Sequence, residues 1–242
     1  MFNFFGKKSE PLKLCISTDI HCHIVPGIDD GSQEAHISVE LIERMQSWGI
    51  KRIIATPHVT QDTFENTPQT ITTAFENLKN ELGVQNNDIK ISHSAEYRID
   101  EFFITQLELG NITPMPQNYL LVENSFIQEP WNIDQILFDL KVKGHKPILA
   151  HPERYHYYHR KPNRYAEIHN AGTLFQINLL SLSGYYGKDE KNTAIKLLEN
   201  GQIDFIGTDL HNHRHADAIE EYLASKEYRR IHERLSLKND SL

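Results

Sequence analysis

The sequence predicts a single α/β domain built around a parallel barrel. Seven short apolar runs alternate with segments of helical periodicity, and no linker, low-complexity tract or internal repeat divides the 242 residues. Alternation of this kind is typical of a parallel sheet covered by helices. Residues able to bind a metal ion follow directly after most of the apolar runs. Because the carboxyl ends of barrel strands open onto one face, a closed or nearly closed barrel explains this placement better than an open sheet does.

Each predicted strand is an apolar run that stops at a polar residue, a proline or a glycine. The second is broken by Pro57, which cannot continue a strand ladder. The first helix has apolar residues three and four apart, with Ser32 as its predicted N-cap and Gly49 as its end, and the chain is expected to fray at its C-terminal tail. The predicted strands are 12–18, 51–56, 89–94, 119–122, 147–150, 174–178 and 203–207. The predicted helices lie between Ser32 and Gly49 and over 70–82, 100–109, 133–143, 165–170, 191–200 and most of 216–235.

Composition limits the classes of function. Lys and Arg number 25 against 33 Asp and Glu, so the net charge is −8 and no nucleic-acid partner is expected. Cys15 and Cys22 are the only cysteines, which argues against a disulfide framework and favours a reducing, cytoplasmic location. No apolar run approaches the roughly 18 residues of a membrane-spanning helix. Residues 1–12 are predicted to form a flexible arm that precedes a domain of residues 13–242.

Nine residues that could bind metal ions lie at or soon after the predicted strand ends. Mixed imidazole and carboxylate ligands suit manganese, iron or zinc, and the absence of thiolate ligands argues against a structural zinc site. Taken singly, each has a simpler explanation: a histidine that packs, an aspartate that begins a helix or caps a turn, a glutamate in an ion pair. Taken together, their placement predicts one site with several metal ions. The nine are His21, His23, Asp30, His58, Glu96, Glu123, His151, Asp209 and His211.

Four motifs carry a resemblance to a known family: Asp-Ile-His-Cys-His-Ile-Val-Pro-Gly-Ile-Asp-Asp-Gly, Ala-Thr-Pro-His, Ala-His-Pro-Glu-Arg and Thr-Asp-Leu-His-Asn. Over about residues 14–215 the chain resembles the PHP (polymerase and histidinol phosphatase) superfamily. Within it, the chain is most similar to the bacterial manganese-dependent protein-tyrosine phosphatases of capsule and exopolysaccharide loci. The resemblance implies a distorted seven-stranded (β/α)7 TIM-like barrel, which agrees with the seven strand–helix units.

The resemblance also implies three divalent metal ions, manganese first, with iron or zinc as alternatives. Four ligand carboxylates carry −4 and three divalent ions +6, and the remaining charge of about +2 would favour a phosphate dianion. The implied ligand groups are His21, His23, Glu96 and Asp209 for the first ion, Glu96, Glu123 and His151 for the second, and Asp30, His58 and His211 for the third.

Two arginines are candidate catalytic residues. Arg154 lies three residues after His151, and a guanidinium matches the geometry of phosphate, so it is expected to stabilise the transition state. Arg214 resembles the family's second phosphate-binding arginine, although the family often spaces that residue farther from its histidine. His213 and His215 are expected to be solvated loop residues. Aromatic residues at the expected rim would either grip a phosphotyrosine ring or pack the top of the barrel: Phe126, Trp131, Tyr155, Tyr157, Tyr158, Tyr185 and Tyr186.

The leading hypothesis is therefore a metal-dependent protein-tyrosine phosphatase. A metal-activated hydroxide would attack phosphorus, and by the resemblance the substrate would be a bacterial tyrosine kinase of capsular or exopolysaccharide synthesis. Histidinol phosphate or another small phosphomonoester is the alternative substrate, and a non-catalytic binding module is the alternative from another class. A cysteine phosphatase is excluded, because the sixth residue after Cys15 is His21 and after Cys22 is Ile28, where that mechanism needs arginine. Neither a Gly-x-Ser-x-Gly elbow nor a Walker A loop is present. The oligomeric state stays open.

Overall fold

Short parallel strands form the centre of the computed structural model, which describes residues 13–83, 88–232 and 235–242. The strands in these residues are β1 (Thr18–Asp19), β2 (Arg52–Ala55), β3 (His58–Val59), β4 (Lys90–His93), β5 (Glu96–Arg98), β6 (Tyr119–Glu123), β7 (Lys146–Ala150), β8 (Leu174–Asn178) and β9 (Phe205–Gly207). One sheet has the order β1-β2-β4 and the other the order β3-β5-β6-β7-β8-β9. All pairings between them are parallel, as the alternation of strands and helices predicts. The predicted arm, residues 1–12, lies outside the described residues.

Two of the predicted strands continue past a break as a second short strand. Pro57 has no N–H to donate, so β2 ends at Ala55 and β3 begins at His58. Hydrogen bonds still cross the breaks, since Ser94 N donates to Ala55 O at 2.8 Å and Glu96 N donates to Pro57 O at 3.0 Å. The breaks transfer the chain from the three-stranded to the six-stranded sheet. They place His58 and Glu96 at the beginning of strands and not after their ends.

The sheet curls until its first and last segments meet. Cys22 forms an isolated parallel bridge with Leu210. His23 N donates to Leu210 O at 2.9 Å, and Asp209 N donates to His21 O at 2.8 Å. The two segments that carry His-x-His and Asp-x-His therefore lie side by side.

The helices cover the outer face of the sheet. Between the predicted elements, the structure adds two short helices, 156–159 and 179–183, that are too short to show a periodicity in sequence. The predicted helix 216–235 is two helices, because Ser225 Oγ accepts a hydrogen bond from Tyr228 N at 3.0 Å and begins a new one. Among the described residues, no helix is long and apolar enough to cross a membrane. The helices are α1 (Ala35–Ser47), α2 (Pro68–Leu82), α3 (Glu101–Leu109), α4 (Ile133–Val142), α5 (His156–His159), α6 (Pro162–Asn170), α7 (Leu179–Ser183), α8 (Lys188–Glu199), α9 (His213–Leu223) and α10 (Lys226–His232).

The predicted N-cap at Ser32 is wrong, because α1 begins three residues later at Ala35. Ser32 N donates to His23 O at 3.0 Å, and Ser32 Oγ donates to Glu34 O at 3.1 Å. The serine thus joins the loop after β1 to the His-x-His segment. The start of α1 has no side-chain cap.

Strand side chains alternate between an inner and an outer apolar cluster. On β6, Tyr119 and Leu121 belong to the small inner cluster, while Leu120 and Val122 pack outward against the helices. Because side chains alternate with a period of two, Glu123 follows on the inner face. The residues of β6 are buried on both faces, which explains why this strand forms a continuous apolar run in the sequence.

The C-terminal residues close the end of the sheet where the strands begin, so the prediction of a frayed tail is wrong. Asn239 is fully buried. Its Nδ2 donates to Thr18 O at 3.0 Å and to Ile206 O at 2.8 Å, and its Oδ1 accepts from Ile206 N at 3.1 Å. Asp240 accepts from Thr18 N at 2.8 Å. One amide side chain therefore joins β1 to β9.

We predict that Asn239→Ala lowers the free energy of unfolding by about 2–3 kcal/mol, because it leaves buried backbone groups of Thr18 and Ile206 without partners. Urea denaturation measures the change. Ser241→Ala, which removes an exposed hydrogen bond in the same tail, is the control and should change stability by less than about 0.5 kcal/mol. Equal stability of the two variants would contradict the role given to Asn239.

Candidate metal centre

The predicted ligands meet at one face of the sheet. Glu96 begins β5, Glu123 ends β6, and His151 follows β7. His58 begins β3, the segment after β1 supplies His21, His23 and Asp30, and the segment after β9 supplies Asp209 and His211. Six of the nine side chains line a cavity of about 290 Å³, and the other three, His21, His23 and Glu96, are fully buried. The cavity is lined by Asp30, His58, Glu123, Phe126, His151, Arg154, Tyr186, Asp209, His211, Asn212 and His215.

The first cluster consists of His21, His23, Glu96 and Asp209, which come from the segment after β1, the beginning of β5 and the segment after β9. His21 Nε2 lies 3.2 Å from Glu96 Oε2 and 3.3 Å from Asp209 Oδ1. His23 Nε2 lies 3.5 Å and 3.3 Å from the same two oxygens. Ligands at ~2.1 Å from a tetrahedral ion are separated by ~3.4 Å from one another. Each of the two imidazole nitrogens therefore lies from both carboxylate oxygens at about the separation of two ligands of a single ion.

Hydrogen bonds orient the two imidazoles of the first cluster. His21 Nδ1 lies 2.7 Å from Gln176 Oε1, and His23 Nδ1 lies 2.8 Å from Asp29 Oδ2. Because both partners are acceptors, each Nδ1 carries the proton, which turns the Nε2 atoms toward the cluster. Both Nε2 atoms and Glu96 Oε2 are buried without a hydrogen-bond partner. Electron-rich atoms that face one another in this way fit a cation.

The same crowding changes the pKa values. Burial alone would lower the pKa of His21, but the carboxylates of Glu96 and Asp209 outweigh it and raise the pKa to about 9. Burial also tends to lower the pKa of His23. The interactions with Asp29 and Asp209 outweigh burial and raise this pKa well above its usual value. Without a metal ion, the carboxylates therefore hold protons on both imidazoles at neutral pH.

The second cluster consists of Glu96, Glu123 and His151. His151 Nε2 lies 2.9 Å from Glu96 Oε1 and 3.9 Å from Glu123 Oε2. Glu96 thus faces the first cluster with one oxygen and the second with the other. Burial raises the pKa of Glu123 to about 7, and the charge of Glu96 adds to this rise.

The third cluster consists of Asp30, His58 and His211 and lies nearer the surface. Asp30 Oδ1 lies 3.5 Å from His58 Nε2 and 3.4 Å from His211 Nε2. The hydrogen bond from His211 lowers the pKa of Asp30 to about 2, and burial only partly opposes it. His58 also faces the second cluster, since its Nδ1 lies 3.0 Å from Glu96 Oε2 and 3.6 Å from Glu123 Oε1. All nine predicted residues are therefore brought together. Among the described residues, the ligand atoms within 4.8 Å of one another form four overlapping groups: His21, His23 and Glu96; His21, His151 and Asp209; His58, Glu96 and Glu123; and His23, Asp30, His58 and His211.

Comparison with known proteins agrees with this arrangement. Residues 17–241 match the model of the family described as capsular polysaccharide synthesis, CpsB/CapC. The chain belongs to the CpsB/CapC family. The tyrosine-protein phosphatase YwqE of Bacillus subtilis is 32% identical over 195 residues, which are 80% of this chain and 77% of YwqE. The tyrosine-protein phosphatase CpsB of Streptococcus agalactiae is 30% identical over 201 residues, which are 80% of this chain and 82% of that protein.

Solved structures extend the comparison. A crystal structure from work on YwqE of Bacillus subtilis and CpsB of Streptococcus pneumoniae, described as unique metal-dependent tyrosine phosphatases, superposes with a TM-score of 0.75. It is 30% identical and covers 87% of this chain and 89% of its own. The lactonase Lmo2620 of Listeria monocytogenes superposes with a TM-score of 0.54 at 15% identity and shows a shared fold alone. The comparisons thus confirm the family, and of the predicted barrel they confirm a single α/β domain with a curled parallel sheet.

Arg154 lies in the wall of the cavity, as predicted. It belongs to the helical turn after His151, and its Nη1 donates to Asp209 Oδ2 at 3.1 Å. Its Cζ lies 4.8 Å from the ring centre of Phe126 and 4.2 Å from that of Tyr186. Burial tends to lower the pKa of Arg154, but the charge of Asp209 outweighs it and raises the pKa. The guanidinium is therefore always charged.

Arg214 is placed differently from Arg154. It lies on α9 with an exposed side chain and is not among the described residues that line the cavity. His215, one residue later, lines the cavity, and its Nδ1 lies 3.1 Å from Asp209 O. The expectation of solvated loop histidines is therefore wrong for His215, because α9 begins at His213 and turns His215 inward.

Several residues that complete the site were missed in the sequence. Asp29 orients His23, and Gln176 orients His21. Asn178 Nδ2 donates to Asp209 Oδ2 at 2.5 Å. A signal existed for the last two, because Gln176 and Asn178 are polar residues at alternate positions of an otherwise apolar strand run. The rim aromatics divide, since Tyr155 and Tyr158 are fully buried whereas Trp131 is 95% exposed.

Close packing fixes the backbone around the clusters. A Cβ on Gly31 would lie 2.2 Å from His23 O, and a Cβ on Gly207 would lie 2.6 Å from His21 Cβ. His151 and Asp209 both have positive φ, 34° and 51°. Non-glycine residues rarely adopt such values, and where they do the surrounding structure must hold them.

We predict that Mn²⁺ binding to the metal-free protein at pH 7 releases about two protons, because the ion replaces those on His21 and His23. The affinity for the ion should therefore fall as the pH falls. Isothermal titration calorimetry in two buffers of different ionisation enthalpy measures the number of protons. His36→Ala, which removes an imidazole that is 55% exposed, should leave that number unchanged. Heat that does not depend on the buffer would contradict the prediction.

Proposed function

We propose that this protein is a metal-dependent protein-tyrosine phosphatase that acts on a bacterial tyrosine kinase of capsular or exopolysaccharide synthesis. The observation that carries the proposal is the convergence of the nine predicted ligands at one face of the sheet, where six of them line a cavity with the guanidinium of Arg154 in its wall. The relatives named as tyrosine-protein phosphatases support the choice of substrate. The family's role in capsular polysaccharide synthesis supports the choice of partner.

We propose three divalent ions, with manganese as the native metal and iron or zinc as alternatives. The mixture of imidazole and carboxylate ligands and the absence of cysteine from the cavity lining suit these metals. His21, His23, Glu96 and Asp209 would hold the first ion, Glu96, Glu123 and His151 the second, and Asp30, His58 and His211 the third. We further propose that residues 13–242 form one distorted seven-stranded barrel, in which β2 with β3 and β4 with β5 each count as one interrupted strand. A cytoplasmic location stays a prediction of the sequence.

The residues of this chain divide the chemistry among them. When bound, the ions would lower the pKa of a coordinated water and offset the charge of the phosphoryl oxygens. Arg154 would donate N–H groups to a phosphoryl oxygen while Asp209 holds its other edge. Tyrosinate, with a pKa of about 10, leaves without a strong acid, and a water molecule in the open cavity would protonate it. Arg214, exposed on α9, stays a prediction.

The proposal predicts that the Mn²⁺-loaded protein hydrolyses phosphotyrosine peptides and that a chelator stops the reaction. His151→Ala should lower kcat at least a hundredfold, because Glu96 and Glu123 lose the imidazole that completes the second cluster. Release of inorganic phosphate measures the rate. His145→Ala, which removes a histidine outside the cavity lining, should retain activity. Turnover that survives both the chelator and His151→Ala would reject the proposal.

A protein substrate fits the rim of the cavity better than a small phosphomonoester. The loop after β6 carries Phe126 in the cavity wall and then Ile127 and Trp131, which are 86% and 95% exposed. Large apolar side chains that remain exposed beside a cavity are typical of surfaces that contact other proteins. Histidinol phosphate has no peptide chain with which to contact such side chains.

We therefore expect Trp131→Ala to lower kcat/KM for phosphotyrosine peptides roughly five- to tenfold, or about 1 kcal/mol. The same variant should hydrolyse p-nitrophenyl phosphate at the rate of the unaltered protein. Phe138→Ala, which truncates an exposed aromatic residue on α4, is the matched control. A higher kcat/KM for histidinol phosphate than for the peptides would favour the alternative substrate.

A further inference from the structure

Arg154 lies against the faces of two aromatic rings that come from different loops. Phe126 follows β6, and Tyr186 follows α7. The guanidinium carbon is 4.8 Å and 4.2 Å from their ring centres. A planar cation at such distances is attracted by the negative charge of the ring faces. We call Phe126 and Tyr186 the aromatic slot.

The aromatic slot is itself fixed to two residues of the metal centre. The ring of Phe126 stacks on that of His151, with centres 5.5 Å apart and planes inclined by 19°. Tyr186 Oη donates to Asp209 Oδ2 at 3.3 Å. The same oxygen accepts from Arg154 Nη1 at 3.1 Å. The slot, the arginine and the metal centre therefore form one connected unit.

The guanidinium keeps most of its donors for a ligand. Among the described residues, it makes one hydrogen bond to a protein group, the bond to Asp209. Its other N–H groups border the cavity, and only 24% of the side chain is exposed. A long arginine side chain loses much rotational freedom when it is fixed, and one hydrogen bond alone would leave it free to rotate about that bond. Contacts with two ring faces remove that freedom before the substrate binds.

We infer that Phe126 and Tyr186 are positioning residues that hold Arg154 ready to bind the phosphoryl group. The inference rests on the proposed function and adds to it a role for two aromatic residues that do not need to contact the substrate. Fixing a donor in advance lowers the cost of reorganisation in the transition state. Since the ring faces match a planar cation, lysine at position 154 could not use the slot.

The first test compares flat and branched side chains in the slot. Tyr186→Leu and Phe126→Leu should each lower kcat/KM for a phosphotyrosine peptide about tenfold or more. Tyr186→Phe, which keeps the ring and loses the hydroxyl, should retain most of the kcat/KM of the unaltered protein. Phe138→Leu, on an exposed face of α4, should have no effect. Metal content and the urea midpoint are measured for each variant, and a loss of activity that follows lost metal would overturn the inference.

The second test is chemical rescue. Arg154→Ala should lose at least a hundredfold in kcat/KM and should regain at least tenfold when guanidinium chloride is added at non-denaturing concentration. The rescue needs both rings, so it should persist in Arg154→Ala/Tyr186→Phe and disappear in Arg154→Ala/Tyr186→Leu. Equal rescue in the two double variants, or no rescue of Arg154→Ala, would overturn the inference.

A third measurement does not depend on turnover. Inorganic phosphate should bind the Mn²⁺-loaded Tyr186→Leu protein about tenfold more weakly than the unaltered protein in isothermal titration calorimetry, and equal binding would count against the slot. The outcomes also separate the two proposals. If the unaltered protein does not hydrolyse phosphotyrosine, the proposed function fails. If it does, and the rings make no difference to rescue or to phosphate binding, only the inference about Phe126 and Tyr186 fails.

Discussion

Buried electron-rich atoms that face one another are the constraint on which the rest of this structure depends. Glu96 is fully buried, and its two oxygens face the imidazoles of His21 and His151. Burial of such groups without compensation is costly, because water no longer screens or solvates them. Protons can relieve the conflict, as the raised pKa of His21 to about 9 indicates, and a divalent cation relieves it more completely. The fold therefore brings together, at one face of the sheet, buried charged groups that favour the binding of a divalent cation.

Asp209 contacts both the buried histidines and the arginine in the cavity wall. Its Oδ1 faces His21 and His23, whereas its Oδ2 accepts from Asn178 and Arg154. A positive φ of 51° turns the residue into this position, and its backbone N donates to His21 O at 2.8 Å. Since one carboxylate contacts both groups, a metal ion held by Oδ1 would be linked to the guanidinium of Arg154 through a single side chain.

The sequence predicts the strand ends well and their partners poorly, for a physical reason. β6 is an apolar run because both of its faces are buried, so the polar Glu123 at its end stands out without any knowledge of the neighbouring strands. Gln176 hydrogen-bonds to His21, and the ring of Tyr186 packs against Arg154, only because the sheet curls. No local sequence pattern indicates which residues make these two contacts. The buried C-terminal Asn239 was likewise hidden, since a short polar tail has the composition of a frayed end. Local chemistry predicted which residues meet at this face of the sheet, and tertiary contacts supplied the residues that hold them.

The weakest part of the sheet is also the place where most of the chemistry lies. Between the segments that follow β1 and β9, the described residues show one isolated bridge, Cys22 with Leu210, and no regular ladder. Asn239 joins β1 to β9 at the opposite end. At the cavity end, His21 and His23 approach Asp209 across the same seam. An ion held by these three residues would therefore close the sheet as well as serve the reaction, so metal binding and folding of this seam should be linked energetically.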